Sequence, residues 1–389
     1  MSTMPPASES LGTESRTRRM VLTEDQEALR TAVRDLLSDH APWSSVLART
    51  ETDAPYDDGL WRRLARDLGV TGLLIPEALG GAGGDARDLA VVCEQLGASV
   101  APVPFLGSAV LATAALVTVR SEPVAGELLG ELARGETTAA LAVPATTVPG
   151  AALSTTVLAV GGVLTGTVTP VLDLAAADLA VVLAWDEGEP ALYAVRPEDD
   201  TVVVTPITPL DLTRPVAGLE LAATPGRLIV RGDPALVAVT TALATGAVML
   251  AAEQVGVAQW SLDTTVAYLK ERHQFGRPIG SFQALKHRMA QVWRRVGLAR
   301  VAALAAADAL AEESDPAEIA TVVAVAASYC SETAVFAAEE MIQLHGGIGM
   351  TWEHPARLYL GRAKADELIL GAPDQHRTRL ADLVGLPGS

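Results

Sequence analysis

Apolar positions in the first third of the chain recur at helical spacing. Thr23 and Gln26 form a capping-box pattern, and the apolar residues between positions 29 and 37 then fall on one helical face. Two more amphipathic patterns begin after Asp57 and Asp85, whose side chains can cap a helix. A further apolar helix is expected over residues 106–117. This spacing predicts an N-terminal helical domain.

The spacing changes near residue 135 and changes back near residue 232. Short runs of Val, Thr and Leu at residues 155–160, 179–184, 192–195 and 201–205 have the length and β-branching of strands. Gly, Pro and Asp separate these runs, as they do in turns. The pattern predicts a compact middle β-domain.

Helical spacing resumes at residue 233 and continues to Gln274. After a Gly-Arg-Pro-Ile-Gly corner, Ser281 is expected to cap a second long helix that begins at Phe282. Two more helical patterns start near residues 315 and 355, which completes a predicted four-helix bundle. The predicted parts are a disordered tail (residues 1–20), the N-terminal helical domain (21–134), the middle β-domain (135–232) and the C-terminal bundle (233–389).

Composition narrows the classes of function. With 389 residues, of which 49% are apolar, the chain can bury a large core. The net charge of −18 argues against nonspecific binding to nucleic acid or anionic lipid. Cys93 and Cys330 lie in apolar patterns without metal-ligand spacing, so we expect buried thiols, no metal site and a reducing cytoplasm. No apolar run is expected to reach the roughly 20 residues of a membrane span.

The corner between the first two bundle helices concentrates positive charge. Arg272, His273 and Arg277 surround Phe275 there. Such a group suits a phosphate. On local evidence alone, cations that complement the negative end of a helix dipole are the simpler interpretation.

Three sequence motifs, taken together, favour the phosphate-binding interpretation of this corner. The corner reads Arg-x-Gln-Phe-Gly-x-Pro-Ile-x-x-Phe-Gln-x-x-x-His from Arg272 to His287; Gln-Leu-His-Gly-Gly-Ile-Gly begins at Gln343; and Ile-Pro-Glu begins at Ile75. Together they resemble the flavin-dependent acyl-CoA dehydrogenase family, over most of the chain and least between residues 140 and 230. The resemblance implies an α+β multidomain fold with an N-terminal helical domain, a β-barrel-like middle domain and a C-terminal four-helix bundle.

The resemblance also implies a cofactor site shared between subunits. In the family, FAD lies along a dimer interface, and residues at the positions of Arg272 and Phe275 reach the cofactor held mainly by the neighbouring subunit. A guanidinium can donate two parallel hydrogen bonds to a pyrophosphate. Gln343, Gly346 and Gly347 match the other segment that crosses the interface. We therefore expect FAD, an acyl-CoA substrate and an oligomer.

The family's catalytic base is missing from both positions where the family places it. A glutamate there removes the α-proton of the thioester while the β-hydride passes to flavin N5, giving a trans-2-enoyl-CoA. The matching positions in this chain are Leu370 and Gly246, and neither can accept a proton. No catalytic residue is therefore assigned. Glu253, Glu367 and Asp374 are candidates for a relocated base, although solvated surface charges are the simpler interpretation.

The middle domain also departs from the family. The segments expected to contact flavin are reduced to apolar stretches at residues 142–146 and 170–172. This combination resembles the base-lacking subunit type of actinobacterial heteromeric members. Our leading hypothesis is a subunit that completes FAD sites in a hetero-oligomer oxidising a fatty or steroid-derived acyl-CoA. The alternatives are a self-sufficient dehydrogenase with a relocated base and a noncatalytic scaffold without flavin. A cytoplasmic location, and an electron-transfer flavoprotein as partner, follow from resemblance only.

Overall fold

The computed structural model describes residues 21–52 and 54–386. The predicted disordered tail over residues 1–20 lies outside the described residues. The predicted order of helices, then strands, then helices is confirmed. The division into domains after residues 134 and 232 stays a prediction.

Six α-helices form the N-terminal part within the described residues. As predicted, the Thr23 hydroxyl accepts a hydrogen bond from the Gln26 amide, and the Gln26 side chain accepts one from the Thr23 amide, both at 3.2 Å. The side chains of Asp57 and Asp85 cap α3 and α4. A π-helical segment, Phe105–Ala112, leads into α5. The helices are α1 (Glu24–His40), α2 (Trp43–Arg49), α3 (Asp58–Arg66), α4 (Ala86–Ser99), α5 (Thr113–Thr118) and α6 (Pro123–Ala133).

Eight strands form one mixed sheet. They are β1 (Ala139–Ala142), β2 (Leu158–Val160), β3 (Val163–Leu172), β4 (Leu179–Asp186), β5 (Glu189–Val195), β6 (Val202–Ile207), β7 (Val216–Pro225) and β8 (Arg227–Arg231). The order is β6-β7-β3-β2-β4-β5-β8, and β1 lies beside β4. β1 and β2 run parallel to β4, whereas every other pair is antiparallel. The four predicted strand runs overlap β2, β4, β5 and β6, although β2 takes up only residues 158–160 of the first run.

Five helices close the C-terminal part. They are α7 (Asp233–Glu271), α8 (Gln283–Ala311), α9 (Pro316–His345), α10 (Ala356–Asp366) and α11 (Pro373–Leu383). Met289, Val292, Val296 and Ala299 of α8 are buried, as their alternating spacing predicted. The long helices α7, α8 and α9 pack side by side, so their ends define two faces of the bundle.

The corner between α7 and α8 differs from its prediction. α7 ends at Glu271, because residues 273–278 form a two-stranded hairpin of β9 (His273–Gln274) and β10 (Arg277–Pro278). Ser281 does not cap α8: it ends a 3₁₀ turn, and its buried hydroxyl has no partner among the described residues. Phe282 adopts an extended conformation before α8 begins, and no side chain caps that helix.

The prediction that no apolar run is long enough to span a membrane was wrong. Residues 234–252 of α7 carry no charge, and both α7 and the segment 316–350 have the length and hydropathy of a span. Most of the apolar window of α7 is buried against other helices. A helix that is apolar on all sides is typical of the centre of a large helical domain, so length and hydropathy do not make α7 a membrane segment.

Helices α4 and α7 cross at two glycines. A Cβ atom at Gly97 would overlap the backbone carbonyl oxygen of Glu253, and one at Gly256 would overlap that of Glu94. We expect Gly256→Ala to lower the free energy of unfolding by about 1–3 kcal/mol, measured by urea unfolding of the isolated chain. Gly297→Ala is the matched control, because a Cβ there meets nothing within 4 Å. The control should be neutral or stabilise by about 0.5–1 kcal/mol, and equal losses in both variants would contradict the close crossing.

Candidate functional site

The two sequence motifs expected to hold a cofactor lie at the same end of the bundle. Tyr268, in the last turn of α7, stacks on His345 at the end of α9, with ring centroids 4.4 Å apart. The Tyr268 hydroxyl also donates to the His345 carbonyl at 3.4 Å. The segment at Arg272 begins directly after this contact, and the segment at Gly346 follows it on the other helix. The structure thus brings together two motifs that are far apart in the chain.

Phe275 stands out of the protein surface. Its side chain is 91% exposed, and its φ of 54° lies in the left-handed region. With Gly276 at φ 75° it forms the two-residue turn of the hairpin, as in a type I′ turn. Its ring meets Phe282 edge-on, with centroids 6.1 Å apart, and the Arg277 guanidinium covers Phe282 at 4.0 Å. A strained, exposed aromatic residue is typical of a contact made to something outside the chain.

The neighbouring groups are also open to the outside. Arg272 and Gln343 are exposed, and within the described ranges the Arg272 guanidinium has no hydrogen bond or ion pair. Gly346 and Gly347 are exposed too, and a Cβ on either would meet no atom within 4 Å. An unpaired guanidinium beside an accessible backbone fits the pyrophosphate of a nucleotide cofactor. These residues could bind such a group, but they could not hold it alone.

The two positions that lack a base touch each other. A Cβ on Gly246 would lie 2.9 Å from Leu370 Cδ1, and closer still to Leu111 Cδ2. Leu370 is 1% exposed, and Leu111 is also buried. Leu370 has a φ of 56° and precedes Gly371, whose φ is 104°. These two positions are far apart in the chain, and the structure places both in one closed apolar contact.

The reduced flavin-side segments meet at the same place. The Ala145 amide donates to the Pro170 carbonyl at 2.7 Å, and the Leu370 amide donates to the Ala145 carbonyl at 2.7 Å. A Cβ on Gly371 would lie 2.9 Å from Val148 Cγ2. Backbone–backbone hydrogen bonds, together with apolar side chains, therefore fill the space beside Leu370.

His376 of α11 also borders this space and was not predicted. It is 2% exposed. Burial lowers the pKa of the imidazole, and contacts with the backbone of Leu370 and Gly371 oppose that shift. A Cβ atom on Gly371 would lie 3.1 Å from Nε2 of the His376 ring. The residue is held as a neutral, packed side chain, and no sequence pattern marked it.

A cavity of about 370 Å³ lies next to His376, between α7, α9 and α11. Its wall is mainly apolar, and Arg379 is the one cation that lines it among the described residues. No carboxylate lines it within the described ranges. The lining residues include Thr240, Ala244, Ile319, Val323, His376 and Arg379. The cavity can take an apolar group, and the imidazole of His376 is the one potential base in its wall among the described residues.

Glu253 is not a solvated charge, and that expectation was wrong. It is 4% exposed. Arg214 donates to both of its oxygens at 2.6 Å, and Arg362 forms a further ion pair with it. Burial alone would raise the pKa of Glu253, but the two guanidinium groups outweigh burial and hold that pKa below its ordinary value. A carboxylate fixed in this way is a weak base.

The other two candidate carboxylates match their expectation. Glu367 is partly exposed and lies 3.4 Å from the Lys364 ammonium. Asp374 is exposed in the first turn of α11. Neither packs against Gly246 within the described residues. Both are surface charges.

The ion pairs of Glu253 belong to a larger buried network. Arg214 also pairs with Asp366, and Arg362 also pairs with Asp211. All of these side chains are buried. Burial raises the pKa of Asp366 to about 8, although Arg214 opposes the shift. The network joins the segment before β7 to α7 and α10, and no sequence signal revealed it because its members lie far apart in the chain.

The predicted burial of the two cysteines is confirmed. Cys93 and Cys330 are buried, and burial raises the pKa of both thiols. Within residues 21–52 and 54–386, no three His, Cys, Asp or Glu side chains are grouped as metal ligands.

Comparison with known proteins agrees with the motifs. The family model described as "Acyl-CoA dehydrogenase, N-terminal domain" matches residues 23–136, and "Acyl-CoA dehydrogenase, C-terminal domain" matches residues 236–384. Acyl-CoA dehydrogenase IpdE2 of Mycolicibacterium smegmatis is 37% identical over 359 residues, which cover 92% of this chain and 98% of that protein.

Two solved structures are similar over nearly their whole length. A chain of the ChsE4-ChsE5 complex from Mycobacterium tuberculosis is 28% identical with a TM-score of 0.82, and the match covers 95% of this chain and 100% of that chain. A chain of a Tcur3481-Tcur3483 steroid ACAD variant is 29% identical with a TM-score of 0.81, and the match covers 93% of this chain and 98% of that chain.

Proposed function

Because this chain belongs to the acyl-CoA dehydrogenase family, whose members are oxidoreductases acting on CH–CH groups, we propose that it is a base-lacking subunit. It completes FAD sites in a hetero-oligomer that oxidises an acyl-CoA thioester. One observation carries the proposal: Leu370, Leu111 and the backbone of Gly246 close the base position, while the cofactor-facing groups of the hairpin stay exposed.

The residues of this chain could contact only part of an FAD molecule. Arg272 would bind the pyrophosphate of FAD held by a neighbouring subunit, and Phe275 would pack on its adenosine side. Gln343, Gly346 and Gly347 would approach the same cofactor through side-chain and backbone groups. When bound, FAD supplies the acceptor for the hydride. The apolar stretches at residues 142–146 and 170–172 offer no polar side chains for a flavin on this chain's own side, apart from the exposed Thr146.

The similar structures support a heteromer and indicate a substrate class. One is a ChsE4-ChsE5 complex, and the other is a steroid ACAD. We extend both features to this chain as proposals: a second family subunit as partner, and a fatty or steroid-derived acyl-CoA as substrate. Electron-transfer flavoprotein as acceptor and a cytoplasmic location belong to the same proposal.

The alternatives have weaker support. A self-sufficient dehydrogenase would need one of the three candidate carboxylates as base. Glu253 is fixed between Arg214 and Arg362, and Glu367 and Asp374 are surface charges. A scaffold without flavin would give no reason for an unpaired Arg272 next to the exposed Phe275. The flavin content of the assembled protein separates the scaffold from the proposed subunit.

Arg272→Ala should weaken FAD binding by the assembled protein by about tenfold or more. The reason is that a charge-assisted hydrogen bond contributes roughly 1.5–3 kcal/mol, and 1.4 kcal/mol corresponds to tenfold in affinity. FAD stoichiometry and dissociation are measured from the flavin absorbance of the coexpressed complex. Lys270→Ala removes a nearby exposed cation outside the motif and should leave both quantities unchanged. Undiminished flavin affinity in Arg272→Ala would contradict the assignment.

A further inference from the structure

Helix α8 and the hairpin before it carry an unusual excess of positive charge. No Asp or Glu lies between Glu271 and Asp308, yet seven of the 29 Lys and Arg residues fall in that interval. The chain as a whole has a net charge of −18. The excess is therefore local, and the surface of this helix differs in sign from the rest of the protein.

Three of the cations on α8 itself are used within the chain, and Arg277 of the hairpin stacks on Phe282. Arg288 makes two hydrogen bonds to Glu340, at 2.7 and 2.8 Å. Arg300 pairs with Glu94 at 3.0 Å. Arg295 stacks on the ring of Phe336. These contacts account for the side of α8 that faces α4, α7 and α9.

The outward side keeps its charge unpaired. Lys286, His287 and Arg294 are exposed, and they make no ion pair with any residue in the described part of the chain. Between these charges the helix presents large apolar groups and one glycine. We call this surface the basic face of α8; its residues are Lys286, His287, Trp293, Arg294, Gly297, Leu298 and Val301.

The apolar side chains of the basic face are exposed and grouped together, as they are in protein–protein interfaces. Trp293 is 71% exposed, and Leu298 and Val301 are each about half exposed. Gly297 lies beside them with no atom within 4 Å of a Cβ position, so another helix could approach closely there. An exposed tryptophan flanked by arginine is the composition that is enriched in protein interfaces and their energetic centres.

We propose that the basic face docks onto an acidic surface of a second, different family subunit. The inference rests on the proposed function, which requires such a subunit. The basic face and its positive charge would select that subunit. A second copy of this chain fits poorly, because a two-fold contact through this face would set Lys286 and Arg294 against cations only. A partner with carboxylates around an apolar centre would pair these charges and cover Trp293.

The same partner would meet the cofactor-facing residues. The hairpin with Arg272 and Phe275 leads directly into α8, so both surfaces belong to one continuous end and side of the bundle. Docking through the basic face would thus place the hairpin against the partner. The positive charge on α8 would select the subunit whose cofactor site this chain completes.

The test uses the full chain coexpressed with the family subunit encoded next to it. The double variant Lys286→Glu/Arg294→Glu should weaken the complex at least 100-fold at low salt, measured by titration of purified subunits. The affinity of the wild-type complex should fall as salt rises, and this dependence should be lost in the double variant. Trp293→Ala should weaken the complex at least tenfold while the salt dependence stays.

Controls separate docking from folding. Arg63→Glu reverses one charge on α3, where Arg63 is an exposed residue, and it should leave the affinity unchanged. Circular dichroism and thermal unfolding of each isolated variant should match those of the wild type. An unchanged affinity and salt dependence in the folded double variant would overturn the inference while the proposed function stands.

Two further outcomes are informative. If the wild-type chain alone forms a stable oligomer that Trp293→Ala dissociates, the occupant is a second copy and the inference is wrong. If the wild-type chain forms no complex with the neighbouring subunit, the proposed function itself is contradicted.

Discussion

The isolated chain is expected to dehydrogenate acyl-CoA at about 1/100 to 1/10,000 of the rate of the assembled protein, because neither Gly246 nor Leu370 can act as a general base. Gly246 has no side chain, and Leu370 fills the adjacent space with a hydrocarbon. The α-proton of a thioester is weakly acidic, and a flavin does not remove it. Steady-state turnover with an artificial electron acceptor, for the chain alone and for the coexpressed complex, measures the ratio.

Variants locate the base in the complex. Replacing the catalytic glutamate of the proposed partner by glutamine should abolish turnover, whereas Leu370→Ala in this chain should leave the rate within about twofold, because in the proposed complex the partner supplies the general base. If the isolated chain instead turns over acyl-CoA at an ordinary rate, and Glu253→Gln abolishes that turnover, the relocated base is correct and the proposed function is wrong.

Local sequence signals predicted most of the fold. The capping box of Thr23 and Gln26 is present because both hydrogen bonds form within four residues of chain. The buried seam of Met289, Val292 and Val296 follows from helical periodicity alone. Features of this kind depend on neighbouring residues, so a single sequence contains them.

The corner between α7 and α8 shows where local signals fail. The cations and Gly276 of this corner predict a helix end followed by a capped helix. The chain instead pairs residues 273–274 with 277–278 through a left-handed turn at Phe275 and Gly276. Helix and strand preferences for so short a segment are nearly balanced, and packing on the bundle decides between them.

The sequence motifs predict which residues belong to the candidate site, but they do not predict how those residues are arranged in space. The motif match selected Arg272, Gly246 and Leu370 one by one. Only the fold shows that Gly246 and Leu370 touch, and that Leu111 closes the contact. The burial of Glu253 was missed because its two arginine partners lie outside its own helix, and no spacing rule links such residues.

Glu253→Gln is expected to lower the free energy of unfolding by about 3–5 kcal/mol at pH 7, because it removes one partner from a buried ion network. Arg214 and Arg362 would then keep their charges in a low-dielectric interior with less compensation. Urea unfolding of the isolated chain measures the change. A relocated base predicts the reverse pattern, namely a loss of turnover without a large loss of stability.

Glu367→Gln is the matched control for this change. Glu367 is partly exposed and pairs with Lys364 at 3.4 Å, so its substitution should alter the free energy of unfolding by no more than about 0.5 kcal/mol. The sign of the pH dependence gives a second measurement. The folded-state pKa of Glu253 is depressed, so its contribution is present above the unfolded pKa of about 4.5 and is lost as the pH falls through the folded value. Wild type and Glu253→Gln should therefore approach each other in stability at acidic pH. A constant difference between them down to pH 3 would show that the carboxylate charge does not hold this network together.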